Sequence, residues 1–312
     1  QIGTGEAAPP TAKEICFPYS ELTEGDLFAL LKPSGQVQGP KLRQAMRTLK
    51  LVRLDTQLSP KSGFYKKVNQ PRAPWEAAYK RHSQALEAPR ADFDIEHLAH
   101  QVPEECIFPS DRQDPTRFGG YAENERGYCL TLVSRIEDML HAPALACVLK
   151  PGTSPTFSAV FDEFLRNDDA RVLRVSLKYL PFADDARGVV ANALGRFLLA
   201  TARNGRFRDM PLLVVIDEAH QFLNRHVGDE NSRYPLDSFE LVAKEGRKYS
   251  LTVCFATQRP RDIPEGVLSQ VGTMIVHRLT NERDLEVVER ASGDLDRTVA
   301  AFLPTLGPGQ SV

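Results

Sequence analysis

Two short apolar runs constrain this chain more than any other feature. Leu212-Leu213-Val214-Val215-Ile216 leads directly into Asp217 and Glu218, and LTVCFA (251–256) leads into Thr257 and Gln258. Both runs are strand-length and rich in aliphatic and β-branched residues, which suits buried strands. LLVVI has no polar residue, as expected of a central parallel strand covered on both faces. Cys254, inside the second run, reads as a core residue. RVLRVSLKYL from Arg171 and TMIVHRL (273–279) add two further strand-like segments. Helical segments alternate with them: ADDARGVVANALGRFLLATARNGRF, FELVAKEGRK, the short IPEGVLSQV and then ERDLEVVERAS. This rhythm predicts the α/β class, a parallel sheet with helices on both faces. The long helix places Val190, Leu194, Phe197, Leu198 and Thr201 on one side, with Asp184 and Asp185 near its start and Arg203 near its end, as the helix dipole favours.

The N-terminal half has a different texture. Residues 1–14 are a Gly/Pro/Ala-rich flexible segment, and 15–170 read as a mainly helical insertion or subdomain. Leu42, Ala45, Met46 and Leu49 recur at helical spacing, as do Leu132, Ile136 and Leu140. Residues 59–127 are rich in Pro, Gly and charge and predict short helical pieces at best, and ELTEG and SPKSG read as caps and turns. Residues 171–312 form the C-terminal part of the α/β core.

Composition narrows the functional classes. The formal net charge is -2, which argues against a blanket of positive charge and leaves room for a local basic surface. The candidate basic groups are Lys66, Lys67, Arg72, Lys80, Arg81 and those around Arg203–Arg208, with a solvated charged surface as the plainer reading. None of the five cysteines sits in a CxxC pair, so scattered thiols in a reducing cytoplasm are expected. No apolar run reaches membrane-spanning length, and no secretion signal opens the chain.

The chemistry is expected at the strand ends, where open α/β sheets bind ligands. Asp217 suits a magnesium shell, and Glu218 suits polarising an attacking water. Thr257 and Gln258 are placed to hydrogen-bond a γ-phosphate or that water. Arg247 and Arg278 are alternative arginine fingers toward a neighbouring subunit, or interface ion-pair residues. Arg259 and Arg261 are structural or couple the site to a neighbour. No GxxxxGK[ST] loop occurs, and QIGTGE lacks a lysine in position. Two readings follow: a degenerate ATPase, or a phosphate cradle preceding Gln1. Gln1 in place of Met and the ending LPTLGPGQSV look cut from longer sequence and favour the second.

With these residues in view, the chain resembles the HerA-like ATPases, hexameric DNA translocases related to the FtsK pumps. The specific segments are LLVVIDEAHQFL and ELVAKEGRKYSLTVCFATQRPRDIPEGVLSQVGTMIVHRLTNERDLEVV, with weaker likeness in RVLRVSLKYLPFADDARGVVANALGRFLLATAR and in FPYSELTEGDLFALLKPSGQVQGPKLRQAM. DEAH at 217–220 also spells the name of an RNA helicase group, but the ATQRP context matches ring translocases. The resemblance implies a RecA-like core, ATP and Mg2+ as cofactors, a homo-hexamer and double-stranded DNA as partner. It also implies a nuclease or an antiphage effector as a further partner, in DNA repair or antiviral defence. It makes Asp217 the Walker B aspartate and metal residue, Glu218 the catalytic glutamate, Gln258 the γ-phosphate sensor and Arg247 the arginine offered across the ring. The family's N-terminal β-barrel and phosphate cradle are absent from these residues.

Overall fold

The computed structural model describes the chain apart from residues 3–11, 59, 89, 91, 182–184, 224, 229–232 and 293–301. Most of the flexible opening segment, and Asp184 at the start of the long helix, therefore lie outside the described residues. Two compact units divide the chain, Gln1–Val190 with Val227–Tyr234 and Ala191–His226 with Pro235–Val312.

The first unit is built from helices. At α1 (Glu24–Leu31) the Thr23 hydroxyl accepts the Asp26 N–H at 3.3 Å, and the Asp26 carboxylate accepts the Thr23 N–H at 2.8 Å. That reciprocal cap satisfies two otherwise orphaned donors and fulfils the expectation for ELTEG. There follow α2 (Gly35–Leu54), α3 (Arg72–Arg81), α4 (Ser83–Leu86), α5 (Leu98–Glu104), α6 (Glu123–His141), α7 (Ala146–Leu149) and α8 (Phe157–Arg166). Helices α2, α5 and α6 pack together. They bury Leu42, Ala45, Met46 and Leu49 against Leu98, Val102, Leu132 and Ile136, so both predicted helical stripes face a core.

The Pro- and Gly-rich stretch is more ordered by polar contacts than its composition implies. SPKSG closes a turn in which Gly63 N–H donates to the Pro60 carbonyl at 3.1 Å. Lys67 is buried, donating to Glu105 and lying 4.4 Å from the centre of the Trp75 ring. Gln101 Nε2 donates to the other Glu105 oxygen at 2.8 Å. Burying two charges is costly unless each finds several partners, and the amide and the ring supply them.

The long helix is α9 (Ala186–Arg203), with Val190, Leu194 and Leu198 buried as predicted. After it come β1 (Leu212–Ile216), β2 (Arg225–Val227), β3 (Tyr234–Leu236), α10 (Ser238–Glu245), β4 (Leu251–Phe255), α11 (Glu265–Leu268) and α12 (Glu282–Ser292). Within the second unit α9 and α10 approach closely. Asn192 Oδ1 accepts the Ser238 N–H at 2.9 Å, and a Cβ on Gly195 would fall 2.4 Å from Ser238 Oγ.

The expected RecA-like parallel sheet with helices on both faces is not what forms. Among the described residues the chain is predominantly helical, with just two two-stranded sheets, β1 with β4 and β2 with β3. Residues 171–177 are not a strand, and 273–279 make a single bridge, from His277 to Ser311. Alternating apolar residues suit a strand, but a strand exists only where a neighbour supplies ladder hydrogen bonds. Nor is β1 covered on both faces: Leu213 is 58% exposed and Val215 63%. Cys254 on β4 is likewise exposed rather than a core residue. The covered side is formed by the buried Ile216, Leu251 and Val242. Among the described residues, no helix is long and apolar enough to cross a membrane.

Candidate functional site

Strands β1 and β4 run parallel and in step, Leu212 opposite Leu251 through Ile216 opposite Phe255. Because they end at the same level, Asp217–Glu218 and Thr257–Gln258 emerge side by side. Two further backbone bonds hold the exit: Ala256 N–H to the Ile216 carbonyl and Ala219 N–H to the Ala256 carbonyl, both 2.9 Å. Upstream, Gly246 makes the α10-to-β4 connection possible, since a Cβ there would lie 2.6 Å from the Leu251 carbonyl oxygen.

Glu218 leaves β1 in a left-handed conformation, φ 50°. That region is disfavoured for a side chain of this size by roughly 1–3 kcal/mol and recurs where a site holds a residue in one geometry. Its carboxylate accepts a hydrogen bond on one oxygen and has a ring nitrogen near the other. Gln258 Nε2 donates to Oε1 at 2.8 Å, and His220 Nδ1 lies 3.4 Å from Oε2. The same His220 nitrogen is 3.1 Å from Thr257 Oγ1, which also accepts the Arg259 N–H at 3.0 Å. Asp217 is exposed beside them and accepts the Glu218 N–H at 3.0 Å. The structure thus brings four predicted residues, Asp217, Glu218, Thr257 and Gln258, to one place.

No arginine side chain bonds to that cluster among the described residues. Arg247 is exposed on the turn Gly246–Tyr249 that enters β4. A strand advances about 3.3 Å per residue, so the length of β4 separates Arg247 from Gln258 by roughly 17 Å or more. Arg278 is exposed in the extended segment just after the His277 bridge. Neither guanidinium bonds to a described residue. Arg259 and Arg261 are used locally: Arg259 faces Asp262 at 3.7 Å, and Arg261 faces Asp284 of α12 at 3.7 Å. Several candidate DNA contacts are also engaged elsewhere. Lys67 is buried on Glu105, Arg72 pairs with Glu76 at 2.7 Å, Arg81 with Asp55 at 3.0 Å and Arg203 with Glu245 at 2.6 Å.

Among the described residues, no group of three or more His, Cys, Asp or Glu side chains is placed to hold a metal ion. A magnesium ion held through one carboxylate, waters and phosphate oxygens needs no such group. Asp217, free of ion pairs to described residues and at the strand end, fits that role. His220 is the member of the cluster that sequence reasoning missed. Its only signal was its place two residues after Glu218, and spacing alone does not say that a ring nitrogen turns back to the carboxylate.

Comparison with known proteins adds a family to this geometry. Residues 205–297 match the family described as Helicase HerA-like C-terminal. The chain is 35% identical over 102 residues to the DNA double-strand break repair helicase HerA of Pyrococcus furiosus, covering 33% of this chain and 18% of that protein. A probable DNA double-strand break repair helicase HerA of Methanocaldococcus jannaschii is 34% identical over 104 residues, 33% of this chain and 20% of that one. The corresponding helicase of Sulfolobus acidocaldarius is 27% identical over 133 residues, 41% and 26%. The chain thus spans between about a fifth and a quarter of the length of these relatives. The similarity to the HerA-like C-terminal family is thus confined to the C-terminal region, and the matched segment contains β1, β4 and the whole Glu218 cluster.

Proposed function

We propose, on the premise of that HerA-like C-terminal region, that this chain carries the acid-and-sensor part of an ATP-driven DNA translocase. The observation that carries the reading is the Gln258–Glu218 hydrogen bond across the aligned ends of β1 and β4. Glu218 accepts a proton from the attacking water, and Gln258 reports on the γ-phosphate, with Thr257 beside it. Asp217 contributes one carboxylate to the shell of Mg2+. When bound with ATP, that ion neutralises charge on the phosphate oxygens. Gln258 Nε2 holds Glu218 Oε1 at 2.8 Å, so a phosphate group that drew Gln258 away would also free that oxygen. Arg247, or else Arg278, serves a neighbouring subunit of a homo-hexamer. Both are exposed, and Arg247 lies at the opposite end of β4 from the cluster. The track is double-stranded DNA gripped through its phosphates, and the partner is a nuclease or an antiphage effector.

The reading requires a lysine-bearing glycine loop, which none of the 312 residues supplies. The same lack favours a second reading, a catalytically silent scaffold. ATP hydrolysis by the product of the complete gene, with magnesium and with or without linear duplex DNA, separates the two. Turnover stimulated by DNA is expected, and Glu218→Gln is expected to bind ATP while losing turnover by about 10²-fold or more. ATP binding without turnover by the wild type overturns the motor in favour of the scaffold. Turnover indifferent to DNA makes the chain a signalling ATPase.

A further inference from the structure

His220 occupies a position that packing alone does not require. It lies on the single turn Ala219–Gln221 directly after Glu218, with its side chain 15% exposed. Ala219 beside it is fully buried and hydrogen-bonded through its N–H to Ala256, so the turn is pinned to the end of β4. From that anchor the ring reaches both strand ends with one atom. Nδ1 is 3.1 Å from Thr257 Oγ1 and 3.4 Å from Glu218 Oε2. Thr257 Oγ1 is fixed in turn by the Arg259 N–H at 3.0 Å. A carboxylate on one side favours the tautomer with its proton on Nδ1, where the ring donates to Thr257 Oγ1 and keeps the same N–H edge beside Glu218 Oε2.

We propose that His220 is a positioning residue that clasps Glu218 to Thr257 and so holds the glutamate carboxylate at the mouth between β1 and β4. The left-handed backbone of Glu218 sets the direction in which its side chain leaves the strand. Gln258 restrains one oxygen, and His220 restrains the other. Were Gln258 engaged by a phosphate, the histidine would be the contact left beside the carboxylate. A misplacement of about 1 Å at such a group costs up to about 10²-fold in rate. This inference rests on the ATPase reading of the same site.

Two measurements test it. In the complete gene product, His220→Ala is expected to lower kcat about tenfold or more, with KM for ATP changing less than about twofold. His220→Asn places an amide N–H close to where Nδ1 stands and is expected to recover most of the loss. Unchanged kcat in His220→Ala, or an Asn variant no better than the Ala variant at equal thermal stability, overturns the proposal. Long-range proton–nitrogen NMR of the 312-residue chain reads the ring directly. A protonated Nδ1 that shifts in both Glu218→Gln and Thr257→Val supports the clasp, and a ring indifferent to both overturns it. Because this second reading needs no turnover, an inactive wild type defeats the ATPase reading while the ring resonances still decide the clasp.

Discussion

At the scale of single residues, the thiols separate by environment. Cys106 and Cys129 are buried in the first unit, Sγ to Sγ 3.7 Å, and the hydrogen bond to Cys129, with burial, pushes the Cys106 thiol far up. Cys147 is pushed up to about 11 by burial. Cys254 is exposed on β4. Since the thiolate is the species that reacts, Cys147 at pH 8 offers roughly one part in a thousand of it. Iodoacetamide at pH 8, followed by peptide mass mapping, is expected to label Cys254 first and to leave Cys106, Cys129 and Cys147 largely unmodified. The sign at alkaline pH follows from the same shift. The unfolded chain gives up the Cys147 proton near the ordinary thiol value, while the folded chain keeps it to about pH 11. Burial of this thiol therefore opposes folding increasingly as the pH rises through that window. Rapid labelling of Cys106 in the folded chain would contradict the buried pair.

At the scale of elements, the β1–β4 pair has one covered and one open side, and two substitutions read that difference. Ile216 is 7% exposed and Val215 63% exposed, although they are adjacent on one strand. Ile216→Ala is expected to cost about 2–5 kcal/mol by leaving a cavity, while Val215→Thr is expected to stay within about 0.5 kcal/mol. Chemical denaturation of the 312-residue chain measures both, and equal large losses would mean that both faces are covered after all. Much of this element was legible beforehand. The strands, the exit of four polar residues at their ends and the helices around them follow from LLVVIDE, LTVCFATQ and the helical spacing. The face assignment was not legible, because an all-apolar strand reads the same whether one side or two are covered.

At the scale of the whole molecule, each unit carries its own core. Leu42, Met46, Val102, Leu132 and Ile136 are buried in the first, and Ile216, Val242, Leu251 and Val267 in the second. Local opening follows such cooperative blocks. Ile136→Ala is therefore expected to raise amide hydrogen exchange across α2, α5 and α6 and to leave β1, α10 and β4 unchanged, as read by mass spectrometry. A uniform rise throughout the chain would mean a single cooperative core. The sequence by itself determined the helical stripes of α2, α6 and α9 and the cap of α1, because periodicity and capping are local properties of a few consecutive side chains. It also determined which polar residues stand at the two strand ends, since each follows its apolar run directly. Only the tertiary structure decided whether strand-like segments became strands. RVLRVSLKYL and TMIVHRL have the pattern, but a ladder requires a partner brought from elsewhere in the chain. It alone decided that His220 turns back to Glu218 and Thr257, that Lys67 is buried on Glu105 and that Arg247 lies at the far end of β4 from Gln258. Those are through-space relations, set by how the chain folds back on itself and not by the order of its residues.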